Sequence, residues 1–209
     1  MEVWTRIQYT ELATEAHILM NENEIKGCEY HNNDHIDEMY QYLEDTGEPY
    51  DEALDWAVLF HDAVYDAEPE KESRSARLFV EMCDKFRGFN LRPSEQAKVH
   101  GLIMRTRTHE VHPGASEAAK AIIRADLHAL TDKTKTIRNF VKIMNESINL
   151  YDCSVEEFAE NNIKFMEGLK ERMMFNISVV DIDEEYFYDK VINGINLTMN
   201  LAKAIKETV

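Results

Sequence analysis

Four residues of this chain combine types and placements that suit a divalent cation: His35, His61, Asp62 and Asp126. Each falls where a helical pattern asks for an apolar side chain. The series Leu54, Ala57, Val58 continues at i+7 to His61, with Asp62 beside it. The series Ala119, Ile122, Ile123 continues at i+7 to Asp126, and His35 stands next to the stripe Ile36, Met39, Tyr40, Leu43. A carboxylate turned into a core is costly unless a cation or hydrogen-bond donors compensate it. Two imidazoles with two carboxylates form a mixed N/O donor set of the kind that Mn²⁺, Fe²⁺, Co²⁺ or Mg²⁺ occupies, with Ni²⁺ or Zn²⁺ as further candidates. Taken singly, each has an ordinary structural reading; Asp126, for instance, could pair with Arg124. The four together carry the argument.

The elements that must position them are helical almost throughout. The pattern predicts helices over 4–26, from the Asn32 cap to about 43, and over 51–63, 70–87, 94–109, 116–130, 133–150, 155–175 and 184–207. Breaks are expected at Gly27, Gly47-Glu48-Pro49, Gly88, Pro93-Ser94 and His112-Pro113-Gly114. With no repeat or linker, the reading is one all-α domain, 1–209, a bundle of about nine helices. Its metal-site core would lie at about 28–130, with the helices of 131–209 packed on it.

Charge narrows the partners. The 23 basic and 40 acidic residues give a formal net charge of −17, which argues against a polynucleotide, whose phosphates need a basic track. No Lys or Arg occurs between Lys26 and Lys71, and then Lys71, Arg74, Arg77, Lys85, Arg87, Arg92, Lys98, Arg105 and Arg107 follow. This reversal suits a cation site beside an anion site; two solvated faces would give the same pattern. No apolar run reaches the ~18 residues of a membrane span. Met1-Glu2-Val3-Trp4-Thr5 has no secretion-signal pattern, and Cys28, Cys83 and Cys153 suit reduced thiols, so a cytoplasmic protein is expected.

Around these residues the chain resembles the HD superfamily of metal-dependent phosphohydrolases, whose signature is H…HD…D on a helical core. Tyr30-His31-Asn32-Asn33-Asp34-His35-Ile36 is similar to Y-H-N-x-x-H-I, and Phe60-His61-Asp62-Ala63-Val64-Tyr65-Asp66 to F-H-D-x-V-Y-D. Glu72-Ser73-Arg74-Ser75-Ala76 is similar to the later half of N-E-x-x-S-A, with Lys71 in the place of Asn. Ile103 to His109 is similar to I-x-x-T-x-x-H, and Ala125-Asp126-Leu127 to A-D-L. The likeness covers about 30–130; beyond it only Asn196-Leu197 or Asn200-Leu201 is similar to a C-terminal N-L pair. Either His31 or His35 could be the first ligand. The Asn32 cap favours His35 for the metal and leaves His31 for the substrate.

The resemblance implies hydrolysis of a phosphate ester or anhydride in a small phosphorylated substrate, a nucleoside mono- or triphosphate in the first instance, in a bacterial or phage-infected cytoplasm. A phosphodiesterase or alarmone-type hydrolase, or a non-catalytic HD-fold binding module, are the alternatives. A haemerythrin-like di-iron bundle would need repeated E-x-x-H pairs, which are absent. Glu72 is the candidate proton acceptor, with Asp66 second. Lys71, Arg105 and His109 are candidate phosphate contacts, because Arg105 and His109 at i,i+4 share a helix face. Exposed apolar residues on the last two helices would indicate a homo-oligomer.

Overall fold

The computed structural model describes residues 10–86 and 91–208. The predicted starts at 4–9, Arg87 and the break at Gly88 lie outside the described residues. Within them the fold is all-α: α1 (Glu11–Ile25), α2 (Asn33–Asp45), α3 (Glu52–Phe60), α4 (Lys71–Lys85), α5 (Pro93–Thr108), α6 (Glu117–Leu127), α7 (Lys133–Tyr151), α8 (Val155–Val179) and α9 (Ile182–Thr208). No described helix is long and apolar enough to cross a membrane.

The starts follow from capping chemistry. Thr10, Asn32, Asp51, Ser116, Asp132 and Ser154 each accept a backbone N–H of the first turn, filling donors that a helix start leaves open. Gly27, at φ 102°, closes α1 in a left-handed conformation that costs a glycine little. Two boundaries differ from the expectation. α3 stops at Phe60 rather than running to 63, so Asp62 stands in a turn. The helix expected over 116–130 tightens into a 3₁₀ turn at His128–Thr131.

α3 is the central rod. Leu54, Trp56, Ala57, Val58, Leu59 and Phe60 are all buried, on every side of the helix, as befits an element surrounded by others. α1, α2, α4, α5 and α6 pack around it. Trp56 and Phe60 meet Phe79 of α4 at ring-centroid distances of 6.0 and 5.2 Å. Burying each such side chain is worth about 1.5–3 kcal/mol. The Tyr40 hydroxyl donates to Asp55 Oδ1 at 2.7 Å, which fixes α2 on α3 and so sets His35 relative to His61.

α8 and α9 form a long pair on the other side, and α9 also crosses the 3₁₀ turn after α6. Gly194 makes that crossing: a Cβ there would sit 2.0 Å from the Leu130 carbonyl oxygen. Arg124 bonds Glu48 and Glu184, tying α6 to the turn after α2 and to α9. Its partners are therefore not Asp126, which is left for the site.

Candidate metal centre and its cavity

His35 is the third residue of α2. The Asn32 side chain accepts from Asp34 N at 3.0 Å and donates back to Cys28 O and Glu29 O, so one amide sets both the helix start and the turn before it. His61 follows the last residue of α3, and its Nδ1–H donates to Val58 O at 2.9 Å. That bond occupies Nδ1 and leaves Nε2 as the ring nitrogen that faces Asp62 and Asp126. The Asp62 carbonyl accepts from Asn23 Nδ2 at 3.1 Å, anchoring the turn to α1. Asp126 is the penultimate residue of α6, where the helix dipole disfavours a carboxylate. It needs donors there, and His35 Nε2 at 3.2 Å and His109 Nε2 at 2.8 Å reach it.

His35, His61 and Asp62 are buried, and their ligand atoms lie within 4.8 Å of one another. Four separations describe the cluster: His61 Nε2 to Asp62 Oδ2 2.9 Å, His35 Nε2 to Asp126 Oδ1 3.2 Å, His61 Nε2 to Asp126 Oδ1 3.8 Å, and His35 Nε2 to Asp62 Oδ2 4.0 Å. Ligand atoms on one octahedral ion at about 2.1 Å stand roughly 3.0 Å apart when adjacent and 4.2 Å when opposite. These four distances fall within or just below that span, and His35, His61 and Asp62 form the mutually close group, with Asp126 adjoining it through the two histidines. Moreover, His61 Nε2 is buried without a hydrogen-bond partner although Asp62 is 2.9 Å away. The two atoms lie side by side as ligands do, rather than as donor and acceptor.

The electrostatics agree. Burial disfavours a charged His61, but Asp62 and Asp126 outweigh it and push the imidazole up to about 9. Burial works against the Asp62 and Asp126 carboxylates, yet the surrounding histidines hold both well below the usual carboxylate range. The cluster is a concentrated negative site that draws a positive charge into the core.

His109 reaches Asp126 by an uncommon route. It caps α5 at φ 57° and ψ 25°, a left-handed conformation that costs a non-glycine residue about 1–2 kcal/mol. The fully buried Asn176 of α8 stabilises it, donating to His109 O and accepting from Val111 N, both at 2.8 Å.

A cavity of about 660 Å³ opens beside the cluster, and Asp62, His109 and Asp126 form part of its wall. His31, Lys71 and Glu72 line it too. His31 Nδ1 meets Glu146 Oε1 at 2.5 Å, and its ring stacks on Tyr65 at 3.8 Å. Glu146, almost fully buried, also accepts from the backbone N–H groups of Tyr30 and His31. Burial opposes a charged His31, and Glu146 reverses this to raise it above the ordinary histidine value. Lys71 Nζ sits over the Tyr65 ring at 3.6 Å and bonds the Tyr151 hydroxyl.

Two expected site residues are not brought to this wall. Asp66 is held by Arg74 through two bonds, at 2.6 and 2.7 Å, and its carboxyl group is lowered chiefly by that contact, which makes it a poor proton acceptor. Arg105 does not line the cavity. His109 leaves the helix at its cap, so the i,i+4 spacing with Arg105 does not place both on one face. His109 itself lines the cavity, and its Nε2 meets Asp126 Oδ2 at 2.8 Å. Sequence reasoning missed Asn23, Tyr65, Glu146 and Asn176. Glu146 had a readable signal: it continues the α7 stripe Thr136, Asn139, Phe140, Ile143.

Comparisons with known protein families, with curated proteins and with solved structures return no match for this chain.

Proposed function

We propose that the chain is a metal-dependent phosphohydrolase of the HD kind, acting on a small nucleotide. The supporting observation is the convergence of His35, His61 and Asp62, whose ligand atoms lie within 4.8 Å of one another, with Asp126 Oδ1 at 3.2 and 3.8 Å from the two histidines and His61 Nε2 without a hydrogen-bond partner. His35, His61, Asp62 and Asp126 would hold the ion. Bound there, a divalent cation supplies charge neutralisation for a phosphoryl oxygen and acidifies water.

The chain's own side chains account for the remaining tasks. Glu72 lines the cavity together with Glu68 and Glu70, and as the member of the N-E-x-x-S-A resemblance it is the carboxylate proposed to accept a proton from the attacking water. His31, kept charged by Glu146 through Nδ1, has its other ring nitrogen for a phosphoryl oxygen. Lys71 adds a second cation in the cavity wall. His109 orients Asp126.

The test is phosphate release from a panel of nucleoside phosphates by metal-stripped protein, with and without Mn²⁺, Co²⁺ and Mg²⁺. Metal-dependent hydrolysis is expected, and Asp62→Asn should abolish it while preserving helical circular dichroism. Equal rates in chelator, or full activity in Asp62→Asn, would overturn the proposal.

A further inference from the structure

The cavity has two chemically different ends. The wall built from residues 30 to 109 and Asp126 carries every ionisable side chain discussed above. The wall built from α7, α8 and α9 carries no charged side chain among its described residues, and Phe140, Phe158, Met166 and Leu169 make it largely apolar. Three amides, Asn139, Asn161 and Asn162, interrupt that wall, and two of them carry an unmatched atom. Asn139 Nδ2 and Asn162 Oδ1 are buried with no hydrogen-bond partner, in residues only 6% and 7% exposed. The carbonyl of Asn139 accepts from Arg138 Nε at 3.1 Å, so its amino group is the unmatched half.

A buried donor and a buried acceptor without protein partners, on two residues of one cavity wall, are costly in a folded chain, and a ligand that bonded both would offset that cost. No charged side chain lines this end, and the one guanidinium beside it, Arg138, is taken up by Asn139 and Glu38, so a neutral group suits it. A hydrocarbon tail would leave both amides unmatched, and a second phosphate would find no cation. A flat ring with an acceptor and a donor on its edge matches both requirements, and apolar walls suit its faces. We infer that Asn139 and Asn162 form a nucleobase subsite, binding the base of a nucleotide whose phosphate lies at the His/Asp cluster. Only the phosphate end of this inference rests on the phosphohydrolase reading.

Nucleosides, which carry the base and no phosphate, separate the two. Thermal melting of the Mn²⁺-loaded protein should rise with at least one of adenosine, guanosine, cytidine and uridine. Asn139→Leu and Asn162→Leu should each abolish that rise. Without nucleoside, both variants should melt at or above the wild type, because a near-isosteric hydrocarbon replaces an unmatched amide; amides with a structural role would lower it instead. In kinetics, the wild type should prefer the matching nucleoside monophosphate over ribose 5-phosphate by about 100-fold in kcat/KM, and each substitution should reduce that preference about tenfold. Metal content should stay unchanged. The inference is overturned if no nucleoside shifts the melting, if ribose 5-phosphate is hydrolysed as well as any monophosphate, or if both variants melt lower with the preference intact. Nucleoside binding without hydrolysis of any nucleoside mono- or triphosphate would support the subsite and sink the phosphohydrolase reading.

Discussion

Removing one carboxylate from the cluster should uncouple the fold from metal, and the size of the effect can be worked out. A ligand that binds only the folded state stabilises it by RT ln(1 + [L]/Kd), about 2.7 kcal/mol when metal is at 100 times Kd. Unfolding entropy near 2.1 cal/mol/K per residue gives about 0.44 kcal/mol/K for 209 residues, so saturating Mn²⁺ should raise Tm by about 6 °C. Asp62→Asn keeps the shape of the side chain and removes its charge. Losing an outer partner of a metal ligand costs 10- to 100-fold in affinity, and losing a ligand should cost at least about 100-fold. At the same metal concentration only about 0.4 kcal/mol then remains, a shift of about 1 °C. Asp126→Asn should behave alike. His109→Ala, which removes a partner of Asp126 and no ligand, should fall between them at about 3 °C. Glu72→Gln, outside the cluster, should keep the full shift. Differential scanning fluorimetry at one fixed Mn²⁺ concentration reads all five proteins. The reasoning fails if Asp62→Asn and Asp126→Asn retain the wild-type shift, or if Glu72→Gln loses it.

Gly194→Ala should destabilise by about 1–3 kcal/mol or more, since its Cβ would meet a backbone carbonyl at 2.0 Å; chemical denaturation checks this, and an unchanged midpoint would mean that α9 gives way freely. The His31–Glu146 pair adds a pH dependence whose sign is set by both shifts. His31 is raised, so its stabilisation is complete below about pH 6.5 and is lost as pH rises through its folded value; Glu146 is lowered, so its own is complete above about 4.5 and is lost in acid. Metal-free wild type should therefore lose stability on the alkaline side of 6.5, and Glu146→Gln should flatten that limb in urea titrations at successive pH values. Lys71→Met should lower kcat/KM by about 10- to 150-fold if its charge meets the phosphate, whereas Arg105→Ala should stay within about twofold of wild type. Equal losses in the two variants would return Arg105 to the site.

The parts of the site that the sequence revealed are those in which one helix decides the outcome. His61 and Asp126 could be read because each continues an apolar stripe, and a polar residue there must have compensation waiting. The Asn32 cap placed His35 on the inner face for the same local reason. What remained hidden depends on two elements at once. Nothing near Asp66 shows that Arg74, across the turn into α4, would take its carboxylate. The left-handed cap at His109 depends on Asn176, 67 residues later, so the helical spacing that paired Arg105 with His109 stopped applying at the residue that mattered. Asn139, Glu146 and Asn162 are the instructive group. They obey the stripe rule as well as Asp126 does, on helices where no familiar motif drew attention to them.

The orientation of the helices bears on the proposal of a cation at the His/Asp cluster. Asp62 lies just past the C-terminal end of α3, His109 caps the C-terminal end of α5, and Asp126 stands in the last turn of α6. Each such end carries roughly half a negative charge from aligned peptide dipoles and open carbonyls. Three negative ends and two carboxylates thus lie near the cluster, against the one positive end of α2 that carries His35, and a bound cation would offset that excess of negative charge. The other side of the cavity has the opposite polarity: Lys71 and Glu72 are the first two residues of α4, whose N-terminal dipole is positive. A substrate lying between a bound cation and that helix start would have positive charge on two sides of its phosphate. Of the basic residues that begin at Lys71 in the sequence, Lys71 alone reaches the cavity lining, so the reversal of charge along the chain is carried into the cavity by that one side chain.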